Sequence, residues 1–391
     1  MNEASVGFFV DSFTPIVDGV TTTVRNCAWW LGRILGPTCV VTPRVPDHED
    51  QEAFPVVRFL SMPTVVRQPY RLGLAELDPR LRAVLRRREF SLIHAHSPFS
   101  AGRAALKTAR EKGVPIVATF HSKFRDDLCR VVPIRCVVRD QVKRIVDFLY
   151  SVDRVWIPQP SVAATLREYG YLGPYEVVEN GTDFTPPPSA APYRAEGARC
   201  LGIPDGQPVG LYVGQMILEK NLELLLRSLP HVVSRVPGFR MVMVGQGYAR
   251  RRLMRLAHEL GLQDRVLFHD VILDRELLKA VYARADLFLL PSLYDNAPLV
   301  IREAAALGAP SLLICGSTAA EVIRDNANGF LAEADEEAFG ARIAQVILDE
   351  GLRARAGDGA RRTLCRSWQS VTMEMREKYL ALISGGGRRT A

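Results

Sequence analysis

The sequence predicts an α/β protein built from two sequential doubly wound domains, and three observations carry that reading. Apolar runs of about four to eight residues alternate along the chain with longer stretches of helical periodicity, the pattern of βαβ units around parallel sheets buried on both faces. One Pro-rich passage interrupts the pattern: Pro186, Pro187 and Pro188 are consecutive and Pro192 follows, a run that can continue neither a helix nor a central strand. Finally, 391 residues exceed one ordinary core, and about 150 residues per domain gives two to three domains.

Taken in order, the first half carries candidate strands at residues 6–10, 38–42, 92–94, 116–119, 154–157 and 175–178, each followed by a turn signal and an amphipathic segment. Beyond the prolines the rhythm restarts, with strands at 209–213, 240–244, 266–269, 287–290 and 311–314 and helices at 221–234, 250–260, 275–285 and 299–307. A last amphipathic helix spans 367–383 before a Gly-rich tail. The expected division is a domain at 1–185, a linker at 186–207, a second domain at 208–366, and a segment at 367–391 whose helix returns to the first domain. Open α/β sheets bind ligands beyond the carboxyl ends of their strands, so the expected site is a cleft between two such domains facing each other.

Composition narrows the classes. Hydrophobic residues make up 48% and charged residues 24%, which excludes a disordered chain. Seven scattered cysteines without a C-x-x-C pair argue against a disulfide framework or a structural zinc site and for a reducing compartment. No uncharged apolar run approaches the roughly 18–20 residues of a membrane span, and the start of the chain lacks a signal-peptide pattern, so a cytoplasmic protein is expected.

The net charge of +7 is uneven. Residues 71–144 hold 17 basic and 7 acidic side chains, a local +10, while the remainder sums to −3. The stretch includes Arg80, Arg82, Arg86, Arg87, Arg88, Lys123, Arg125 and Arg130. It reads either as a surface for an anionic partner, such as a membrane or a phosphorylated substrate, or as well-solvated Arg-rich helices. Nucleic acid is the weakest option, because no binding motif or interleaved aromatic surface accompanies the charge. Val131, Val132, Ile134, Val137 and Val138 would add shallow membrane insertion if they shared a face, although Pro133 argues against one continuous helix there.

Six segments carry candidate chemistry. In 291–304 a strand gives way to a loop holding Asp295, Asn296 and Ala297, and Pro298 and Leu299 open a helix that carries Glu303. Backbone N–H groups at such a turn form an anion site, and two acids beside it could grip ligand hydroxyls. The plainer alternative is a capping Asp and a solvated helix Glu. In 211–221 a strand runs into Gly214 and Gln215, and Lys220 opens the next helix, where a lysine can neutralise a phosphate leaving group. Gly245 and Gly247 form a G-x-G after a strand, weak evidence alone. In the first half, Gly19 follows the first strand's turn and would let the backbone approach a ligand, and His94, His96 and His121 lie at strand ends, each by itself more in keeping with structure than with catalysis.

Together these segments resemble the retaining glycosyltransferases of the GT-B architecture, family four, over essentially the whole chain. The resemblance is carried by the P-x-x-x-G-V turn, H-x-H-S-P-F, T-F-H-S, N-G-T-D, the G-x-x-x-x-x-K loop, and the P-S…D-x₇-E…A-x-G-x-P block, six motifs in register. The Asp18-Gly19-Val20 turn and the basic first half look most like the branch that glucosylates diacylglycerol. The resemblance implies two Rossmann-like domains, a nucleotide diphosphate sugar donor such as UDP-glucose, a lipid acceptor, and no metal or other cofactor. It matches Glu303 to the acid that binds the donor ribose, Asp295 to the acid that holds the transferred sugar, Lys220 to the diphosphate lysine, and His121 to the active-site histidine. Gly19, Gly214, Gln215, Gly245 and the backbone of Asn296, Ala297 and Leu299 are expected among the donor contacts, while the concentration of charge puts Arg86, Arg87, Arg88, Lys123 and Arg125 on the expected acceptor and membrane side. Two departures stand out: Asp295 is one methylene shorter than the usual glutamate, and Gln215 replaces an arginine. They leave open a weakened scaffold that binds a nucleotide sugar or a protein partner; separately, the nearest variant of the leading reading is an enzyme with a soluble or polysaccharide acceptor. The implied location is the cytoplasmic face of the membrane, as a peripheral protein.

Overall fold

The structure, a computed structural model, describes residues 3–64, 69–132 and 134–385. The chain forms two compact units, one from its first 181 residues together with the segment from Trp368 onward, the other from Thr182–Ser367.

The first unit runs β1 (Val6–Phe9), α1 (Gly19–Ile34), β2 (Thr38–Pro43), β3 (Val56–Phe59), β4 (Ser61–Pro63), β5 (Arg71–Gly73), α2 (Pro79–Arg87), β6 (Leu92–Ala95), α3 (Ser100–Lys112), β7 (Ile116–Thr119), α4 (Phe124–Val131), α5 (Arg135–Tyr150), β8 (Arg154–Ile157), α6 (Val162–Tyr169) and β9 (Glu176–Val177). Seven of its strands form one parallel sheet in the order β3-β2-β1-β6-β7-β8-β9, while β4 and β5 pair as a separate antiparallel hairpin. Strands β1, β2 and β6 are buried along their whole length, as expected for a sheet covered on both faces.

The second unit runs α7 (Ala191–Leu201), β10 (Val209–Val213), α8 (Leu222–Arg235), β11 (Arg240–Val244), α9 (Arg250–Glu259), β12 (Val266–His269), α10 (Arg275–Arg284), β13 (Leu287–Leu290), α11 (Leu299–Ala306), β14 (Ser311–Ile314), β15 (Phe330–Ala332), α12 (Glu336–Leu348) and α13 (Glu350–Leu364). Its parallel sheet has the order β12-β11-β10-β13-β14-β15. In both sheets the chain winds outward on one side of the first strand and then restarts on the other. That places topological switch points between β1 and β6 and between β10 and β13, where open sheets bind ligands. The last helix, α14 (Trp368–Ser384), packs on α1 of the first unit, with Trp368 and Tyr379 almost fully buried.

The expected linker at 186–207 is corrected. Its middle is the helix α7, packed against α10 so closely that a Cβ on Gly197 would come within 2.1 Å of the Ala280 carbonyl oxygen. Arg284 holds the segment's exit: its fully buried guanidinium donates to the carbonyls of Ile203, Pro204 and Gln207. A buried cation is tolerable only with such partners, so the prolines introduce a docked segment of the second unit. The chain enters and leaves that unit at neighbouring points, where Thr182 N–H donates to the Arg366 carbonyl at 2.8 Å. Elements absent from the sequence reading are β3, the β4–β5 hairpin, β15, α12 and α13. The strand expected at 175–178 is the two-residue β9.

Candidate functional site

The switch point of the second sheet gathers the residues singled out in both of its loops. Strand β10 ends at Val213, and the chain turns through Gly214 and Gln215 into a short 3₁₀ turn, Leu218–Lys220. Asn221 then takes a left-handed conformation (φ 56°) and donates from its side chain to the Pro291 carbonyl at 3.3 Å, tying this loop to the one after β13. The neighbouring glycines have a packing reason: a Cβ on Gly245 (φ 143°) would sit 2.0 Å from the Gly214 carbonyl oxygen, and one on Gly247 2.3 Å from that of Met216.

After β13 the buried Ser292 hydroxyl accepts from the backbone N–H groups of Tyr294 and Asp295, both at 3.2 Å, and so shapes the loop. Asp295 is thereby brought against Lys220: the lysine Nζ is bonded to Asp295 Oδ1, with side chains only 16% and 13% exposed. The other oxygen, Asp295 Oδ2, is buried and meets no hydrogen-bond partner among the described residues. Asn296 is buried and Ala297 half-buried; Pro298 is the N-cap of α11 and Leu299 its first residue, so the proline stands one position before the helix.

Glu303 lies on α11, and here the solvated-helix alternative fails. Its residue is 6% exposed, and both carboxylate oxygens are engaged, Oε1 by Arg275 Nη2 and Oε2 by the Tyr282 hydroxyl, each at 2.8 Å. Arg275 also reaches Asp183 through Nε at 3.0 Å and Nη2 at 2.5 Å, and its guanidinium lies 4.4 Å from the centroid of the Phe184 ring. Burial opposes the charge of Arg275, but the carboxylates of Glu303 and Asp183 outweigh it and raise its pKa above the ordinary arginine value. Burial, with Glu303 beside it, likewise raises the Tyr282 phenol well above its usual range. Sequence reasoning missed Arg275, Tyr282 and Asp183 as site residues; the only hint was the Asp of N-G-T-D, whose partner lies 92 residues away.

The first unit has its own cluster at the carboxyl ends of β6 and β7. His94 contacts the Tyr379 hydroxyl through Nδ1 at 2.5 Å and Thr119 through Nε2 at 2.7 Å. His96 Nδ1 meets His121 Nε2 at 2.8 Å, and the two rings stack with centroids 5.1 Å apart. Burial depresses all three histidines, His121 to about 4, with neighbouring imidazoles pushing His94 and His96 lower still. His121 is thus a neutral imidazole near pH 7. Gly19 opens α1, where a Cβ would meet nothing within 4 Å, and Asp18 caps the helix by accepting from Thr21 N–H at 2.7 Å.

The basic stretch is divided among several elements. Arg86 and Arg87 are exposed in the last turn of α2, and Arg88, its C-cap, is half-buried. Arg125 is paired with Glu168 at 2.6 Å, Lys143 with Asp147 and Arg144 with Asp140. The apolar insertion face is corrected. Val138 is 5% exposed inside the core and Val132 packs against it, leaving Ile134 and Val137 exposed; Pro133 and the Val131 side chain lie outside the described residues. Among the described residues no helix is long and apolar enough to cross a membrane.

Residues 17–185 match the family described as Glycosyltransferase Family 4, and residues 195–363 match Glycosyl transferases group 1. A D-inositol 3-phosphate glycosyltransferase of Xylanimonas cellulosilytica is 31% identical over 76% of this chain and 74% of its own length. An alpha-monoglucosyldiacylglycerol synthase of Streptococcus pneumoniae is 25% identical over 88% of this chain and 78% of its own. Among solved structures, HepE of Anabaena in complex with UDP and glucose superimposes with a TM-score of 0.77 at 18% identity, covering 97% of this chain and all of that one. Sequence and fold therefore agree: the chain belongs to the family 4 glycosyltransferases and has their GT-B architecture.

Proposed function

We propose that this glycosyltransferase moves glucose from UDP-glucose to a lipid acceptor of the diacylglycerol type, with retention of anomeric configuration and without a metal, as a peripheral protein at the cytoplasmic face of the membrane. The observation that carries the proposal is Asp295: one oxygen is held by Lys220, and the other is buried without a partner among the described residues. An orphaned buried carboxylate oxygen is costly, and a sugar hydroxyl would satisfy it. The donor is supported by the UDP and glucose bound to HepE, and the acceptor by the name of the pneumococcal relative.

In this reading the diphosphate lies at the start of α11, where helix polarity favours anions, with Lys220 as its counter-charge. The ribose hydroxyls bind Glu303. Asp295 orients the glucosyl ring, and Lys220 keeps its carboxylate paired. The bond from the anomeric carbon to the diphosphate oxygen breaks with both electrons leaving on the diphosphate. The acceptor hydroxyl attacks the oxocarbenium-like centre from the same face and passes its proton to the departing oxygen. His121, neutral near pH 7, serves as a hydrogen-bonding group toward sugar or acceptor. Gln215 supplies no second cation, so Lys220 carries more of the leaving-group stabilisation here than where an arginine joins it.

The test is a screen of UDP-glucose, UDP-galactose and GDP-mannose for turnover, with and without diacylglycerol vesicles and with EDTA throughout. Formation of an α-linked glucosyl lipid from UDP-glucose in EDTA is expected. Turnover only of GDP-mannose, only with a soluble acceptor, or only with added metal overturns the corresponding part, and nucleotide-sugar binding without turnover identifies a scaffold. Membrane attachment has its own arm. Each engaged Lys or Arg near an anionic surface is worth about 1 kcal/mol, so changing Arg86, Arg87 and Arg88 together to glutamine should markedly reduce co-sedimentation with anionic vesicles. Binding indifferent to lipid charge, salt and this triple change would remove the membrane from the proposal.

A further inference from the structure

We propose that Arg275 is a positioning residue for the donor nucleotide: it holds the Glu303 carboxylate in the orientation that receives the ribose hydroxyls. The inference rests on Glu303 being the ribose carboxylate and adds a residue, outside the motifs, that makes Glu303 competent.

A carboxylate 6% exposed in the middle of a helix is costly to bury unless it is paired. Here Arg275 takes Oε1 and Tyr282 takes Oε2, each at 2.8 Å, from two turns of the same face of α10. A carboxylate has about four acceptor directions, so two remain for the paired hydroxyls of a ribose. Without the arginine the side chain would be held at one oxygen only and could rotate.

Arg275 is itself over-determined. Nε and Nη2 grip both oxygens of Asp183, and Phe184, 2% exposed, backs the guanidinium plane. A planar fork held on both sides transmits position in a way a lysine would not. Its place in the helix supports the same conclusion. Arg275 is the first residue of α10, capped by Asp274, where a positive charge is unfavourable toward the helix dipole. Nothing in helix formation asks for arginine there; the two carboxylates do.

The experiment measures UDP and GDP binding by calorimetry, with donor KM, kcat and melting temperature, on the full chain. The variants are Glu303→Ala, Arg275→Ala, Arg275→Lys, Asp183→Asn and the Arg275→Ala/Glu303→Ala double. Arg275→Ala is expected to weaken nucleotide binding about tenfold and to raise donor KM with kcat little changed, since the group acts through ground-state placement of the ribose carboxylate. Arg275→Lys should recover part of the loss, and the double variant should bind no more weakly than Glu303→Ala, because both changes remove one interaction. Wild-type binding by Arg275→Ala beside a weakened Glu303→Ala overturns the inference and leaves the ribose role standing. Wild-type binding by Glu303→Ala overturns that role and the inference together. Fully additive losses would mean that Arg275 touches the nucleotide itself, which also refutes positioning. Should Arg275→Ala fail to fold, Asp183→Asn decides: it loosens the arginine while leaving Glu303 its partners, and unchanged donor KM there refutes the inference.

Discussion

Replacing Lys220 by alanine separates its pairing with Asp295 from the leaving-group role proposed for it. In the structure Lys220 pairs with Asp295, with side chains 16% and 13% exposed. Breaking a fully buried ion pair from one side costs about 3–5 kcal/mol, because the surviving charge is left uncompensated. The residual exposure here lets water screen part of that, which brings the expected stability loss to about 1–3 kcal/mol. Asp295 Oδ2 already lacks a partner among the described residues, so the variant leaves both carboxylate oxygens without one. The cost in rate is separate. Losing one preorganised contact to a developing charge lowers turnover by about 100- to 1,000-fold, or 2.7–4 kcal/mol. Thermal melting and turnover at saturating donor, measured on Lys220→Ala and on the Lys220→Met/Asp295→Asn double, distinguish the two. The double should regain much of the lost stability, since neither charge remains, yet stay as inactive as the single. Turnover returning with stability would show that Lys220 only holds the loop. Near wild-type turnover in Lys220→Ala would remove it from the site.

Glu303→Ala should raise donor KM sharply and Glu303→Gln less, since glutamine keeps an acceptor for one hydroxyl and hydrogen bonds to charged groups are worth about 1.5–3 kcal/mol; equal nucleotide binding in calorimetry would exclude the ribose role. The buried histidines set an acid limit. His94, His96 and His121 are neutral when folded and protonate near pH 6.5 when unfolded, so protons favour the unfolded chain, and stability should fall as pH drops from about 6.5 toward 4. Melting temperatures between pH 7 and about 5.5, above the range of ordinary carboxylates, test this, and a flat profile refutes it. Gly245→Ala forces a side chain to within 2.0 Å of a carbonyl oxygen at φ 143°, and should destabilise the second unit by about 3 kcal/mol or more; a loss below about 1 kcal/mol, read by denaturant unfolding, would show that the two loops can part.

What the sequence determined by itself is the local architecture and the residue types its loops carry. Strands at 209–213, 240–244, 266–269, 287–290 and 311–314 coincide with β10–β14, because each is an apolar run bounded by turn residues, and such runs declare themselves over a few neighbours. The residue types at Lys220, Asp295 and Glu303 were legible for the same reason: each sits at a fixed offset from a strand end. Tertiary structure decided what those side chains touch. Lys220 and Asp295 are 75 positions apart with no local signal that they meet, and only the winding of β10 beside β13 brings them together. Arg275 reads as an unremarkable first residue of a helix until Asp183 and Glu303 converge on it from 92 and 28 residues away. The prolines at 186–188 announced a linker, yet the buried guanidinium of Arg284 claims the carbonyls downstream and makes that stretch part of the second unit. His94 bonds Tyr379 across 285 residues, a contact that exists only because α14 packs on the first unit. Periodicity and turn chemistry report interactions between near neighbours, which any short segment can express. The burial of a charge and the choice of its partner depend on which segments exclude water together, and that is settled only when the sheets assemble.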